Sequence, residues 1–216
     1  MVDGRFRNPR IVRDAGELRP SADGIYSYSI PGGGNTETLD DWLAAHRGLF
    51  EGFGGGAERV TAGADGGVRR DYLLSGEPEV RERLAGVLDV DFAALPREVR
   101  FEPGAGYCSF SYDGGGALCA AWATLCFRRD GGWLRLELCA MPSAELMSED
   151  YVFESCYERV YHYVSARGIE YLMSQNSSEC SAECTTEHLT LSLKGFGQTL
   201  SELEGVLDGI GLPMLD

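Results

Sequence analysis

The sequence predicts an α+β fold: a mixed, mainly antiparallel sheet with a four-stranded meander at about 98–141, packed by about four helices. Three observations predict it. Strand-like patterns joined by short Gly-containing links follow one another between residues 98 and 141. Four apolar stripes at helical spacing stand outside that stretch. The chain has 216 residues, 44% hydrophobic and 25% charged, which is ordinary for a globular protein and excludes a rod, a coiled coil or general disorder.

The elements follow in order. Residues 1–23 are polar and Arg-rich, with Pro9 and Pro20, and read as an irregular N-terminal arm. Residues 24–216 read as a single domain, with a weak boundary conceivable near 94–98. Gly24 to Ile30 alternates as a strand and is stopped by Pro31 and three glycines. Thr38, with Asp41 three residues on, is a capping box for a helix carrying Leu39, Trp42, Leu43, His46, Leu49, Phe50 and Phe53. Glu58–Gly63 and Val68–Leu74 read as a hairpin over Asp65-Gly66-Gly67. Ser75 opens a second helix, with Pro78 in its first turn and Val80, Leu84, Val87 and Leu88 inward.

The meander comes next. Its strands are Glu98–Phe101, Gly106–Tyr112, Ala117–Arg128 and Trp133–Met141. Pro103-Gly104-Ala105, Asp113 to Gly116 and Asp130-Gly131-Gly132 join them. The third strand is apolar on both faces, which predicts cover on both sides, from this chain or another. Ser148 then caps the longest helix, which ends near Gly168. Val152, Phe153, Cys156, Tyr157, Val160, Tyr163 and Val164 form its apolar face. Ile169–Met173 reads as a short strand, Ser174 to Thr186 as a polar loop and His188–Leu193 as a strand. Thr199 with Glu202 caps a last helix.

Charge narrows the classes of partner. The formal charge is −15. Residues 137–216 hold 14 acidic residues against Arg159, Arg167 and Lys194, a net of −11. Such a field repels nucleic-acid phosphates and anionic lipid and speeds encounter with a basic protein. The expected partner is therefore a basic protein, with no nucleic acid and no membrane. The longest nearly unbroken apolar run, Ala117 to Phe127, is too short to cross a bilayer as a helix. No signal peptide is visible, and seven cysteines in no secreted framework point to a reducing cytoplasm.

Candidate chemistry is sparse. Gly32-Gly33-Gly34 lies between a strand and a helix, but no Lys-Ser or Lys-Thr follows, so the phosphate-loop pattern fails. Cys180, Cys184 and His188 are spaced four apart and are weak metal candidates, since no second ligand pair accompanies them. A Cys180–Cys184 disulfide and free thiols are the other readings. Cys108, with His46, His162 or His188, is the one conceivable nucleophile, although it sits mid-strand with no positive neighbour. Asp150, Glu154, Glu158 and His162 form a row at helical four-residue steps, read as a solvated face, a docking ridge or a metal site, the last without the Glu-x-x-His spacing and partner helix such sites use.

Three functional expectations follow. The first is an acidic cytoplasmic binding or inhibitory module acting on a basic protein; toxin-neutralising, immunity-like proteins are one such class by charge and size. Its partner-binding residues are Asp150, Glu154 and Glu158, with Tyr151, Tyr161 and Glu170 as neighbours. The second is a subunit of a larger assembly whose partner covers strand 117–127. The third is an enzyme using Cys/His chemistry. No cofactor is expected.

Overall fold

Alternation of side chains, rather than helical periodicity, organises about half of the described residues. In the computed structural model the described residues are 10–12, 26–28, 38–51, 53, 57–92, 94–142, 152–154, 158–176, 179–186 and 188–212. Among them 51% are in strands and 19% in helices. The expected α+β sheet packed by about four helices is thereby corrected to a mostly-β architecture with few, short helices.

Nine strands form one antiparallel sheet. The first five are β3 (Glu58–Ala62), β4 (Val68–Leu74), β5 (Arg100–Tyr112), β6 (Leu118–Arg129) and β7 (Gly132–Ala140). The others are β9 (Arg159–Val164), β10 (Glu170–Asn176), β11 (Glu179–Thr185) and β12 (Leu189–Phe196). Their spatial order is β3-β4-β5-β6-β7-β12-β11-β10-β9. Two meanders thus run side by side, and the last strand of each, β7 and β12, pair at the centre. A second, three-stranded parallel sheet holds β1 (Arg10–Val12), β8 (Val152–Glu154) and β2 (Tyr26–Tyr28).

The nine-stranded sheet has two unlike faces. Face A carries Tyr72, Phe110, Ala123, Leu125, Leu136, Leu191, Ala182 and Met173, all buried in the main core. Helices α3 (Glu77–Leu88) and α4 (Leu200–Leu207) cover it with Val80, Leu84, Leu203 and Val206. Val90, Phe92 and Val99 belong to the same core, on either side of residues 94–98. Face B is mixed. At one end α1 (Leu39–Ala45) and the single turn α2 (Arg47–Phe50) cover it, and Leu39 and Trp42 pack on Ala105, Cys126, Trp133 and Phe196.

Local chemistry explains what the sequence showed correctly. Thr38 accepts from the Asp41 N–H and Asp41 answers to the Thr38 N–H, closing the expected capping box of α1. Thr199 and Glu202 do the same for α4. Ser75 binds Glu79 and α3 begins one residue later than expected, after Gly76.

Three expectations are corrected. The longest expected helix, from Ser148, is replaced by strands at 152–154 and 159–164. Arg159 to Val164 contains only one non-β-branched, non-aromatic residue besides its histidine, and such side chains favour a pleated surface. Gly168 is the φ +78° residue of the β9–β10 turn, not a helix stop. The expected loop 174–186 holds β11, in which Cys180, Ala182 and Cys184 alternate with Ser181, Glu183 and Thr185. Small side chains made that period hard to see. Pro103-Gly104-Ala105 is a bulge inside β5 rather than a hairpin, because Phe101 faces Phe127 and Gly106 already faces Leu125. The expected four-stranded meander at 98–141 is therefore three strands, continued outward by β4 and β3. Gly32 to Gly34 and Ser148 lie outside the described residues.

Candidate docking face

The antiparallel register arranges face B in rows. One row runs Asp71, Ser109, Trp122, Cys139, Thr190, Thr185 across six strands. The next runs Tyr107, Thr124, Glu137, Ser192, Glu183, Leu172, His162. Polar and aromatic side chains therefore occupy positions that a sandwich core would fill with aliphatics.

Asp71 anchors the first row. It is 1% exposed. Arg59 donates to its Oδ2 from Nε at 3.0 Å and Nη2 at 2.7 Å. Arg69 Nε donates to its Oδ1 at 2.8 Å and to Ser109 Oγ at 3.0 Å. The Tyr107 hydroxyl donates to Oδ1 at 2.8 Å and accepts from Arg69 Nη2 at 2.8 Å. Burial alone would raise the Asp71 carboxyl; donors from Arg59, Ser109, Arg69 and Tyr107 outweigh it and hold the pKa down to about 2. A buried carboxylate with two guanidiniums and a phenol is fully engaged, as burial of a charge requires.

Trp122 stands beside this network. Its ring meets the Tyr107 ring edge-on, with centroids 5.9 Å apart and planes at 74°. On its other side Phe53 also packs edge-on against Tyr107. Tyr107 is thus fixed by its hydroxyl and by two rings. Trp122 is nevertheless 40% exposed, on a central strand where neighbours normally bury such a ring. Glu137 lies diagonally from it on β7, half-buried and 3.6 Å from Arg135 Nε. The Arg135 guanidinium is itself held over the Trp42 and Phe196 rings. Further along, Glu183 is raised by burial, an effect that Lys194 opposes.

Of the six expected partner-binding residues, Glu158, Tyr161 and Glu170 are described with their side chains, and Tyr161 and Glu170 do not share a face. Asp150 and Tyr151 lie outside the described residues, as does the side chain of Glu154 in β8. Glu158 is exposed just ahead of β9. Tyr161 points to face A, where its hydroxyl donates to Glu204 over 2.6 Å. Glu170 is on face B, 3.0 Å from His162 Nδ1. Among the described residues of the four-residue row, Glu154 and His162 lie in strands rather than on a helix. Much of the acidity in this half also serves the fold: Glu204 and Asp208 hold Tyr161 and Tyr163, Glu202 caps α4 and Glu179 pairs with Lys194.

The candidate metal and nucleophile groups are likewise apart. Cys180 and Cys184 share face A of β11, so four residues of strand put them roughly 13 Å apart. That separation suits neither a shared zinc ion nor a disulfide. Cys180 instead contacts the carbonyls of Gly195 and Gln198, and burial pushes its thiol up to about 12. Burial also raises Cys184. His188 sits in the β11–β12 turn, half-buried. Cys108 is on face A, its thiol pushed up to about 12 by burial. Six strand steps separate it from His162, roughly 29 Å. His46 stacks on Trp42 and contacts its own turn carbonyl. No helix among the described residues is long and apolar enough to cross a membrane.

Trp122 was missed in the sequence because it sat among apolar neighbours in a strand expected to be covered on both faces. The signal was present: within β6, Trp122 is the one large ring on the side of the strand that also carries Thr124 and Arg128. Comparison with protein-family models, with curated proteins and with solved structures finds no match for this chain.

Proposed function

We propose that the protein is an acidic cytoplasmic binding module that captures a basic protein partner, with Trp122 on face B as the anchor. Neutralisation of a toxin, in the manner of immunity-like proteins, is one form such capture takes. The observation that carries the reading is the exposure of Trp122 on a central strand, backed by a Tyr107 ring whose hydroxyl is bound to Asp71. Binding hot spots concentrate Trp, Tyr and Arg, and a pre-ordered anchor loses little entropy on contact.

Charge supplies the rate and the ring supplies the residence time. The −15 charge accelerates encounter with a cationic protein. A lysine or arginine of that partner then sits over the Trp122 face, with the Glu137 carboxylate one diagonal away. The chemistry is recognition, without bond making.

A pull-down from the native host tests this with two baits, the native chain and Trp122→Ala. Retention of a basic protein by the first and its loss from the second supports the reading. Equal retention by both, or capture of acidic proteins only, rejects it. A partner that covers strand 117–127 permanently, as in an obligate assembly, would instead co-purify at fixed stoichiometry and stay bound at high salt.

A further inference from the structure

We propose that the outer edge of β9 pairs with β9 of a second copy of this chain, antiparallel, about a two-fold axis at His162. The inference is independent of the Trp122 reading, since the two surfaces lie at the centre and at the rim of the sheet.

The hydrogen-bond phase of β9 comes first. Ser165 N–H donates to the Ile169 carbonyl at 2.9 Å, closing the β9–β10 hairpin. In an antiparallel ladder, paired and unpaired positions alternate. Tyr163 and Tyr161 therefore turn their backbone groups towards β10. Val160, His162 and Val164 turn theirs outward, where no described strand lies. Such an edge is a template for another strand unless charge, proline or a bulge blunts it.

Nothing of that kind blunts positions 160–164. They read Val-Tyr-His-Tyr-Val, with no proline and no carboxylate, lysine or arginine. The opposite rim differs: β3 carries Glu58 and Arg59, and Glu58 already binds Arg70 and Tyr72. Val164 is 61% exposed, the highest value among the large hydrophobic side chains of the described residues, whereas Val160 is buried.

The segment is its own complement. With the axis at His162, Val160 faces Val164 of the second copy, and Tyr161 faces Tyr163. The outward backbone groups of residues 160, 162 and 164 then meet in phase. Each residue meets one from the same face, as strand pairing demands. At the ends, Arg159 faces Ser165 and Glu158 faces Ala166, so no like charges oppose. The tyrosines come pre-ordered, because Tyr161 and Tyr163 are tied to Glu204 and Asp208 at 2.6 and 2.8 Å. An isologous contact of this kind closes on itself and yields a dimer rather than a fibre.

The contact is short, so its strength falls at the weak end of specific interfaces, on the order of micromolar. Two chains of −15 repel each other, so the dimer tightens as salt screens them.

Sedimentation of the full chain over a range of concentrations and salt tests the existence of the dimer. The expected result is a monomer–dimer equilibrium that shifts to dimer as salt rises and that Val164→Lys weakens by about tenfold or more. A crosslink tests the register. His162→Cys places two thiols across the axis, within the 4.4–6.8 Å Cα range of a disulfide. Val160→Cys places its two thiols roughly 13 Å apart. Mild oxidation should link the first variant and not the second, with the native chain as the baseline for its own cysteines. A chain that stays monomeric at every concentration and salt overturns the proposal. So does a dimer that crosslinks through Val160→Cys, or one that Val164→Lys leaves unchanged.

Discussion

Trp133 and Phe196 stack face to face, 4.1 Å between ring centroids and 7° between planes, at one end of the β7–β12 seam. Gly132, one residue earlier, comes so close to the Phe196 carbonyl that any Cβ would collide with backbone. The pair therefore marks an end of the seam at which the two meanders approach closely.

Gly132→Ala should separate the seam at that end. The clash is with a carbonyl oxygen, which cannot swing away as a side chain could. The expected loss is about 2 kcal/mol or more, read as a lower urea midpoint. Gly86→Ala is the control, since a Cβ there meets nothing within 4 Å and a helix interior favours Ala. Equal effects from the two changes would remove the argument.

Asp71 gives a signed dependence on pH. Its folded pKa, about 2, lies below the unfolded value near 4. The stability it supplies is present above about pH 4 and lost as pH falls towards 2, on the order of 2 kcal/mol. Urea unfolding across that window should show the decline. Asp71→Asn should be less stable at neutral pH and should lack this component of the slope.

Glu183 works the other way. Burial raises its carboxyl, so the folded state holds the proton more tightly than the unfolded chain. Stability from this group is present at low pH and is lost as pH rises through the folded pKa. Glu183→Gln should therefore raise the melting temperature at neutral pH. A lower one would show that Lys194 attracts the carboxylate more strongly than burial penalises it.

Thiol chemistry separates the cysteines. Burial holds the Cys108, Cys126 and Cys180 thiols up at about 12 and raises Cys184 as well. Cys119 and Cys139 are only partly buried. Alkylation of the native chain should therefore mark Cys119 and Cys139 well before Cys108, Cys126, Cys180 and Cys184, and urea should bring these six of the seven cysteines to similar rates. Early labelling of Cys108 would restore the nucleophile reading.

Signals carried by two or three adjacent residues were legible in the sequence. Capping boxes at Thr38 and Thr199, and the turns at Asp65-Gly66-Gly67 and Asp113 to Gly116, rest on local hydrogen bonds that composition reveals. Residues 159–164 were not legible as a strand, because Val160, Tyr163 and Val164 fit one helical face, whereas in the strand Tyr163 lies on the face opposite the two valines. Tertiary pairing with β10 decides between them. The spacing of the expected partner residues was meaningful only on a helix, and Tyr161 and Glu170 end on opposite faces. Trp122 escaped notice because exposure is set by neighbours distant in the chain.

The pairing of β7 with β12 has a consequence for synthesis. A ribosome releases β7 long before β12, with β8 to β11 still to come. Until the last residues emerge, the Trp133–Ala140 edge hangs open beside Leu134, Leu136 and Leu138, a sticky margin in a half-made chain. Truncation before Leu189 should therefore yield aggregates rather than a smaller folded protein.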